Sequence, residues 1–420
     1  NLKVGAIAYM PLVLAGIHIA FNRNLWWGFI VATLGTALHI RMNHLQITYY
    51  LLFIILIYGL SQLYFAYKEG KLPYFFKATA ILVLAAILSV GASFGKLWSV
   101  YEYGQYSTRG STGLKSEQTG NSTGLERDYV FNWSSGKLES MTLLIPNFYG
   151  GATQMSLGVD SNLADALKRQ GMGIMQVKET IKKVPTYWGD QPITAGAMYV
   201  GAIVCFLFLL GAFLVKPKYR NWVIAATVLS LILSWGKNFE TFNYFLYDYF
   251  PGYNKFRSVS MAISIAFVCM PLLGFLGLEK LLTEGLSKKT NKGLVWSLGI
   301  SGGLSLLVVL FAGAANFVGA VDAQLASYPE WFLNAIRADR ESMMRGDAIR
   351  SVIFIIASGG VIWFYLKQKL SGYLALPILG ILVTVDLWMV DKRYLNDEDF
   401  KRSSAQQTFT KSEADEAILQ

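Results

Sequence analysis

Residues 45–67 read LQITYYLLFIILIYGLSQLYFAY, and this stretch decides the fold class. From Leu45 to Tyr67 it holds no Asp, Glu, Lys or Arg. An α-helix rises 1.5 Å per residue, so about 20 apolar residues cross the roughly 30 Å hydrocarbon layer of a bilayer. No water reaches backbone N–H and C=O groups there, so the crossing segment must be helical. Segments of the same character lie on both sides of it. They are Val4–Phe21, Leu25–Ile40, Pro73–Phe94, Ile193–Val215, Asn221–Trp235, Arg257–Leu278, Gly293–Phe317, Ala348–Leu366 and Gly372–Val390. The sequence therefore predicts an all-α polytopic membrane protein with about ten transmembrane helices. Leu25–Ile40 and Asn221–Trp235 are short, which suits tilted partners or partly buried half-helices.

Composition agrees. The chain is 54% hydrophobic and 15% charged, against about 25% charged in soluble domains. The formal charge of +10 comes from Lys and Arg gathered near segment ends, where lipid phosphates lie. No basic stripe interleaved with aromatics occurs on a polar domain, so nucleic acid is excluded as a partner and membrane lipids are expected. Cys205 and Cys269 sit inside apolar runs and read as small buried hydrophobes.

The polar segments set the organisation. Residues 1–94 hold the first four helices, joined by the short turns Asn22–Asn24, Arg41–His44 and Lys68–Leu72. Residues 95–192 form a large insert. It contains a Ser/Thr/Gly-rich stretch, Ser107–Gly124, read as a mobile loop, and then Tyr129–Trp133, Leu143–Ile145 and a helical-looking piece, Asn162–Lys183. Residues 193–390 hold the remaining helices. They are interrupted by an aromatic loop, 236–256, and by an amphipathic segment, 319–346, expected to lie along the membrane surface. Residues 391–420 read as a polar external tail leading to a further domain. Because the chain opens at Asn1 within an apolar segment, it is expected to be the middle of a longer protein.

Alternating the connections puts Arg23, Lys68, Lys71, Lys77, Lys216, Lys218, Arg220, Lys280, Lys288, Lys289, Lys292, Lys367 and Lys369 on one side. The Lys/Arg bias assigns that side to the cytoplasm, so the large insert and both ends face outward.

Candidate functional groups lie at the outward helix ends. Arg41-Met42-Asn43-His44-Leu45-Gln46 offers Arg41 and His44 for a phosphate or sugar, although a solvated helix cap explains it too. Trp133 to Glu139 leads into Pro146-Asn147-Phe148-Tyr149-Gly150-Gly151, where Pro and Gly demand a particular backbone path. Glu139 is a candidate general base, since a carboxylate near a desolvated site can accept a hydroxyl proton. Thr186-Tyr187-Trp188-Gly189-Asp190-Gln191-Pro192 offers Trp188 as an interfacial anchor or a sugar-stacking ring. Lys237, Lys255 and Arg257 suit a phosphate, Arg as a fork and Lys as a point charge. His18 and Asp386 are ionisable groups inside spans and so are functional candidates by default. No P-loop, GxSxG, HExxH or CxxC is present.

Four strings together resemble the bacterial YfhO membrane-protein family, in a Bacteroidetes-type form. They are Asn43-His44-Leu45-Gln46-Ile47-Thr48-Tyr49-Tyr50, Leu144-Ile145-Pro146-Asn147-Phe148-Tyr149-Gly150-Gly151, Tyr187-Trp188-Gly189-Asp190-Gln191-Pro192, and Phe250-Pro251-Gly252-Tyr253-Asn254-Lys255-Phe256-Arg257-Ser258-Val259-Ser260-Met261. That family resembles the GT-C class of polytopic glycosyltransferases. The resemblance implies transfer of a sugar from a polyprenyl-phosphate donor to an envelope glycan or protein acceptor, at the outer face of a bacterial inner (cytoplasmic) membrane. It implies Glu139 and His44 as catalytic candidates. Arg41, Gln46, Asn147, Tyr149, Trp188, Asp190, Lys237, Lys255 and Arg257 would be substrate-binding. GT-C enzymes place an essential acidic residue after their first helix, so the principal acid is expected in a segment preceding this chain. A divalent metal, Mg or Mn, would be the cofactor if one is used; the sequence shows no ligand set. Two other readings stay open: a lipid or solute transporter or flippase, and a non-catalytic subunit of an envelope assembly.

Overall fold

The structure, a computed structural model, describes residues 2–107, 124–397, 400 and 413–419. The Ser/Thr/Gly-rich stretch expected to be mobile lies almost wholly outside the described residues, as does most of the tail. Among the described residues there is no β-strand, only an isolated bridge between Met155 and Val184.

The chain opens with four apolar helices, α1 (Leu2–Asn22), α2 (Leu25–Arg41), α3 (Leu45–Lys68) and α4 (Leu72–Gly91), followed by α5 (Phe94–Gln105). The insert holds three short helices, α6 (Arg127–Phe131), α7 (Asn162–Arg169) and α8 (Ile174–Thr180). Then come α9 (Ala202–Leu214), α10 (Pro217–Trp235), α11 (Glu240–Tyr249), α12 (Ser264–Glu284), α13 (Lys288–Phe311), α14 (Glu330–Leu366) and α15 (Gly372–Asp391). The tail contributes α16 (Glu413–Leu419). Among the described residues eight helical segments are long and apolar enough to cross a membrane, with α2 and α9 as shorter companions. The protein is thus an all-α, multi-pass membrane protein.

Burial sorts the helices. Two-thirds of the α12 span is buried (67%), against 22% for α4, α13 and α15. α12 is therefore the central post, and the other three turn most of their leucines and isoleucines outward, as lipid contact allows. One apolar core joins α1, α3, α10 and α12; a second joins α9, α12, α13, α14 and α15.

The short helices are held by close backbone approach. Gly16 and Ala20 of α1 face Ala32 and Gly28 of α2, and a Cβ at either glycine would collide with the partner's backbone. Small residues let helices approach closely enough for dispersion to hold them in lipid, where the hydrophobic effect is absent. Gly211 of α9 meets Leu273 and Gly277 of α12 in the same way.

Three expected elements differ from the structure. The span expected at Ile193–Val215 is helical only from Ala202. Residues 193–201 are irregular, and Gly201 takes φ +114°. A helix of 13 residues cannot cross a bilayer alone, and α9 survives because protein buries nearly all of it. The helical piece expected at Asn162–Lys183 is broken at Gly171, which takes φ +81° and separates α7 from α8. The amphipathic segment expected along the membrane surface is the first half of α14, a single helix of 37 residues. That helix is about 55 Å long, well beyond the hydrocarbon thickness. Its apolar face covers α7 and α8, where Ala335 and Ile336 meet Leu163, Leu167, Val177 and Ile181.

Both polar inserts gather at one rim of the bundle. Gln46 at the start of α3 donates to the Arg257 carbonyl at 2.6 Å, and Tyr49 to that of Pro251 at 2.8 Å. Trp235 at the end of α10 donates to Ser140 of the first insert at 2.8 Å. The Arg41–His44 turn lies at this same rim. The turns Asn22–Asn24 and Lys68–Leu72 lie at the other, the short-turn rim, where Lys218 pairs with Glu69 at 2.9 Å and Tyr365 reaches the Leu282 carbonyl at 3.4 Å.

Candidate functional site

The loop rim carries every residue that the sequence singles out as catalytic or substrate-binding, but in separate groups. The first centres on Glu139, in the turn between α6 and α7. Its Oε1 accepts from the Tyr187 hydroxyl and Gln191 Nε2, both at 2.8 Å, and its Oε2 accepts from the Gly136 N–H at 2.8 Å. Tyr187 in turn accepts from the Gln191 N–H at 3.0 Å. Glu139 is 7% exposed and Tyr187 1%. Burial raises the Glu139 carboxyl above the usual range even though all three hydrogen bonds pull it down, and burial also raises the Tyr187 phenol. The cavity beside Glu139 measures about 10 Å³, room for about one water. Glu139 is therefore a sealed node that ties the 136–139 turn to the 187–191 strap.

Asp190, by contrast, is exposed. Asn238 Nδ2 donates to Asp190 Oδ2 at 3.2 Å and to the Ser135 carbonyl at 2.9 Å, so three segments meet at this carboxylate. Gly136 packs beneath it, where a Cβ would lie 2.8 Å from Oδ2 and displace the carboxylate. Lys237 precedes Asn238, its side chain exposed and its N–H bonded to Ser134 Oγ at 3.0 Å.

A second group surrounds Arg257. Its guanidinium hydrogen-bonds the Tyr129 hydroxyl and stands 5.6 Å from the Tyr129 ring and 5.7 Å from the Trp133 ring. The following residue, Ser258, takes a left-handed φ of +59°, held by Gln46 from α3. Lys255 is half-buried, and desolvation lowers its pKa. Arg41 is exposed at the end of α2, where its carbonyl accepts from Lys96 at 3.3 Å. His44 caps α3, accepting the Ile47 N–H at 3.4 Å, and partial burial lowers its pKa.

The third group is packed rather than open. The Tyr149 and Trp188 rings lie 4.3 Å apart, and Phe317 sits at 5.1 Å on Trp188. Aromatic side chains thus occupy the stacking positions that a sugar would need at Trp188. Burial pushes the Tyr149 phenol up to about 12. Asn147 is 6% exposed, and its N–H bonds to Asp347 at 3.0 Å.

Sequence reading missed the polar side of α14. Asp339 accepts the N–H groups of Asn162 at 2.7 Å and Leu163 at 2.9 Å, capping α7. Arg340, with no exposed surface, forms a fork to Asp322 at 2.7 and 2.8 Å and donates to the carbonyls of Phe317 and Pro185, both at 2.7 Å. Asp347 holds Arg393 at 2.6 and 2.7 Å. Arg350 holds Asp386 at 2.6 Å, and Asp386 also takes the Tyr199 hydroxyl at 2.6 Å and the Ala202 N–H at 2.9 Å. Asp386 therefore starts α9 as its cap and is 1% exposed. His39 was also missed; fully buried in α2, it bonds to the Ala6 carbonyl at 2.9 Å and to Thr48 at 3.0 Å.

Among the described residues no group of three or more His, Cys, Asp or Glu side chains is placed to hold a metal ion. No family model, curated protein or solved structure matches the chain.

Proposed function

We propose that this protein is a membrane glycosyltransferase that moves a sugar from a polyprenyl-phosphate carrier to an envelope acceptor at its loop rim. The observation that supports this reading most is the convergence of both inserts on one rim, where a pinned, exposed carboxylate, Asp190, stands over a sealed carboxylate node. The reading also draws on the resemblance to the YfhO family and on the Lys/Arg bias, which assigns the loop rim to the outside of a bacterial inner membrane.

In this reading the acceptor hydroxyl oxygen attacks C1 of the sugar. The C1–oxygen bond to phosphate breaks, and the polyprenyl phosphate leaves with the electron pair. The hydroxyl proton passes to a carboxylate at the rim, for which Asp190 is the exposed candidate. Glu139 acts as a positioning residue, holding Tyr187 and the 136–139 turn beneath it. Arg257 and Lys255 supply positive charge for the departing phosphate. Arg257, already held near the Tyr129 and Trp133 rings, needs little ordering to do so.

The test is release of polyprenyl phosphate by the purified protein from a panel of polyprenyl-phosphate sugars, with envelope extract as acceptor. Turnover supports the reading; a folded protein inert across the panel overturns it. Arg257→Ala should weaken donor binding while Arg220→Ala leaves it intact, because Arg220 bonds Asn221 and the Ala212 carbonyl near the opposite rim. Equal losses would remove the site assignment.

A further inference from the structure

One cavity lies away from the loop rim. It is a cleft of about 790 Å³ beside the short-turn rim, within the range of about 300–1,000 Å³ typical of small-molecule sites. It opens between α1, α3, α10 and α12. Two prolines face it, Pro11 of α1 and Pro271 of α12. Each removes one hydrogen bond to the preceding turn of its helix.

The cleft is amphiphilic from end to end. Leu14, Leu272, Phe275 and Leu276 line its body, and Arg23, Lys216, Lys280 and Glu279 stand at its mouth. Lys280 is tied to Glu284 at 2.7 Å. Arg23 and Lys216 are exposed and form no ion pair among the described residues. Three cations against two carboxylates, Glu279 and Glu284, leave the mouth with a net positive charge. His18 is among the lining residues, its Nδ1 hydrogen-bonded with the Tyr58 hydroxyl at 2.9 Å. The Trp222 ring lies 4.7 Å from that of Tyr58, tilted by 51°, and forms part of the wall.

We propose that this cleft is a binding site for an anionic phospholipid of the leaflet at the short-turn rim. An acyl chain lies along the apolar wall, and the phosphate sits between Arg23 and Lys216 within reach of His18. An apolar trough with unpaired cations at the headgroup level matches a lipid that carries both features; a zwitterionic lipid would bring its own cation to the same mouth. The site is separate from the loop rim and does not depend on the transferase reading.

The experiment places the full chain in nanodiscs containing brominated phosphatidylglycerol or brominated phosphatidylcholine at equal mole fraction. The Trp222 signal is taken as the difference between wild type and Trp222→Phe. Brominated phosphatidylglycerol should quench that signal far more. Each cation near the surface favours an anionic lipid by about fivefold, so Arg23 and Lys216 together give about 25-fold. The double variant Arg23→Gln/Lys216→Gln, whose changes are at exposed positions, should lose the selectivity. Ala15→Phe, which fills the trough, should protect Trp222 from both lipids. Equal quenching by the two lipids overturns the proposal, as does selectivity that survives the double variant.

Discussion

Replacing Arg340 with Met probes how the insert is fastened to α14. Arg340 has no exposed surface, and Asp322 is 10% exposed at its side chain. Arg340→Met removes a two-pronged ion pair and the bonds to Phe317 and Pro185. It strands a nearly buried carboxylate and two carbonyls. Breaking one side of such a pair costs about 3–5 kcal/mol, because the remaining charge stays desolvated. The cost falls on local opening of the insert, since the spans beneath keep their packing. Hydrogen exchange reads this directly. The Val184 and Leu157 amides, which bond to Met155 and Ile181 within the insert, should exchange about a hundred- to several-thousand-fold faster. Amides in α12 should not change. Adding Asp322→Leu to Arg340→Met should recover most of the protection, because no buried charge is then left unpaired. Unchanged exchange in Arg340→Met would refute the view that this pair holds the insert down.

Two further outcomes follow from the same reasoning. The folded state binds the Glu139 proton more tightly than the unfolded chain does, because burial raises its pKa. Stability should therefore fall as pH rises through the ordinary Glu value toward the raised one. Glu139→Gln should flatten that slope in thermal melts in detergent. It should also lower the plateau by about 1–3 kcal/mol, because one amide N–H would then face the Gly136 N–H. A wild-type melt independent of pH in that window would count against the sealed carboxylate. Gly28→Leu should abolish the monodisperse peak in size-exclusion chromatography, since its side chain would enter the Ala20 backbone. A normal peak would mean that α1 and α2 are not packed as described.

The membrane fold was legible because hydrocarbon imposes one rule on the backbone, and the rule shows as long uncharged runs such as Leu45–Tyr67. All ten apolar segments carry helix, and only Ile193–Val215 is helical over about half its expected length. Its true start depends on Asp386, far along the chain, supplying the cap at Ala202. No local pattern at 193–201 contains that information. The same holds for α14. Asp339, Arg340 and Asp347 look like the solvated face of a surface helix, yet their partners are Asn162, Asp322 and Arg393. At the rim, sequence reading gathered residues that do stand on one side of the bundle. It could not tell that Glu139 is sealed while Asp190 is open, because that difference rests on Tyr187, Gln191 and Asn238 arriving from other segments.

Both inserts must share one face of the membrane, with the turns Asn22–Asn24 and Lys68–Leu72 on the other. Single-cysteine labelling with a membrane-impermeant maleimide tests this directly, in a background where buried Cys205 and Cys269 are replaced. Lys137→Cys, Lys182→Cys and Lys237→Cys should all label on intact cells. Lys71→Cys and Lys369→Cys should label only after the membrane is opened. Labelling of Lys71→Cys together with Lys137→Cys on sealed cells would contradict the account.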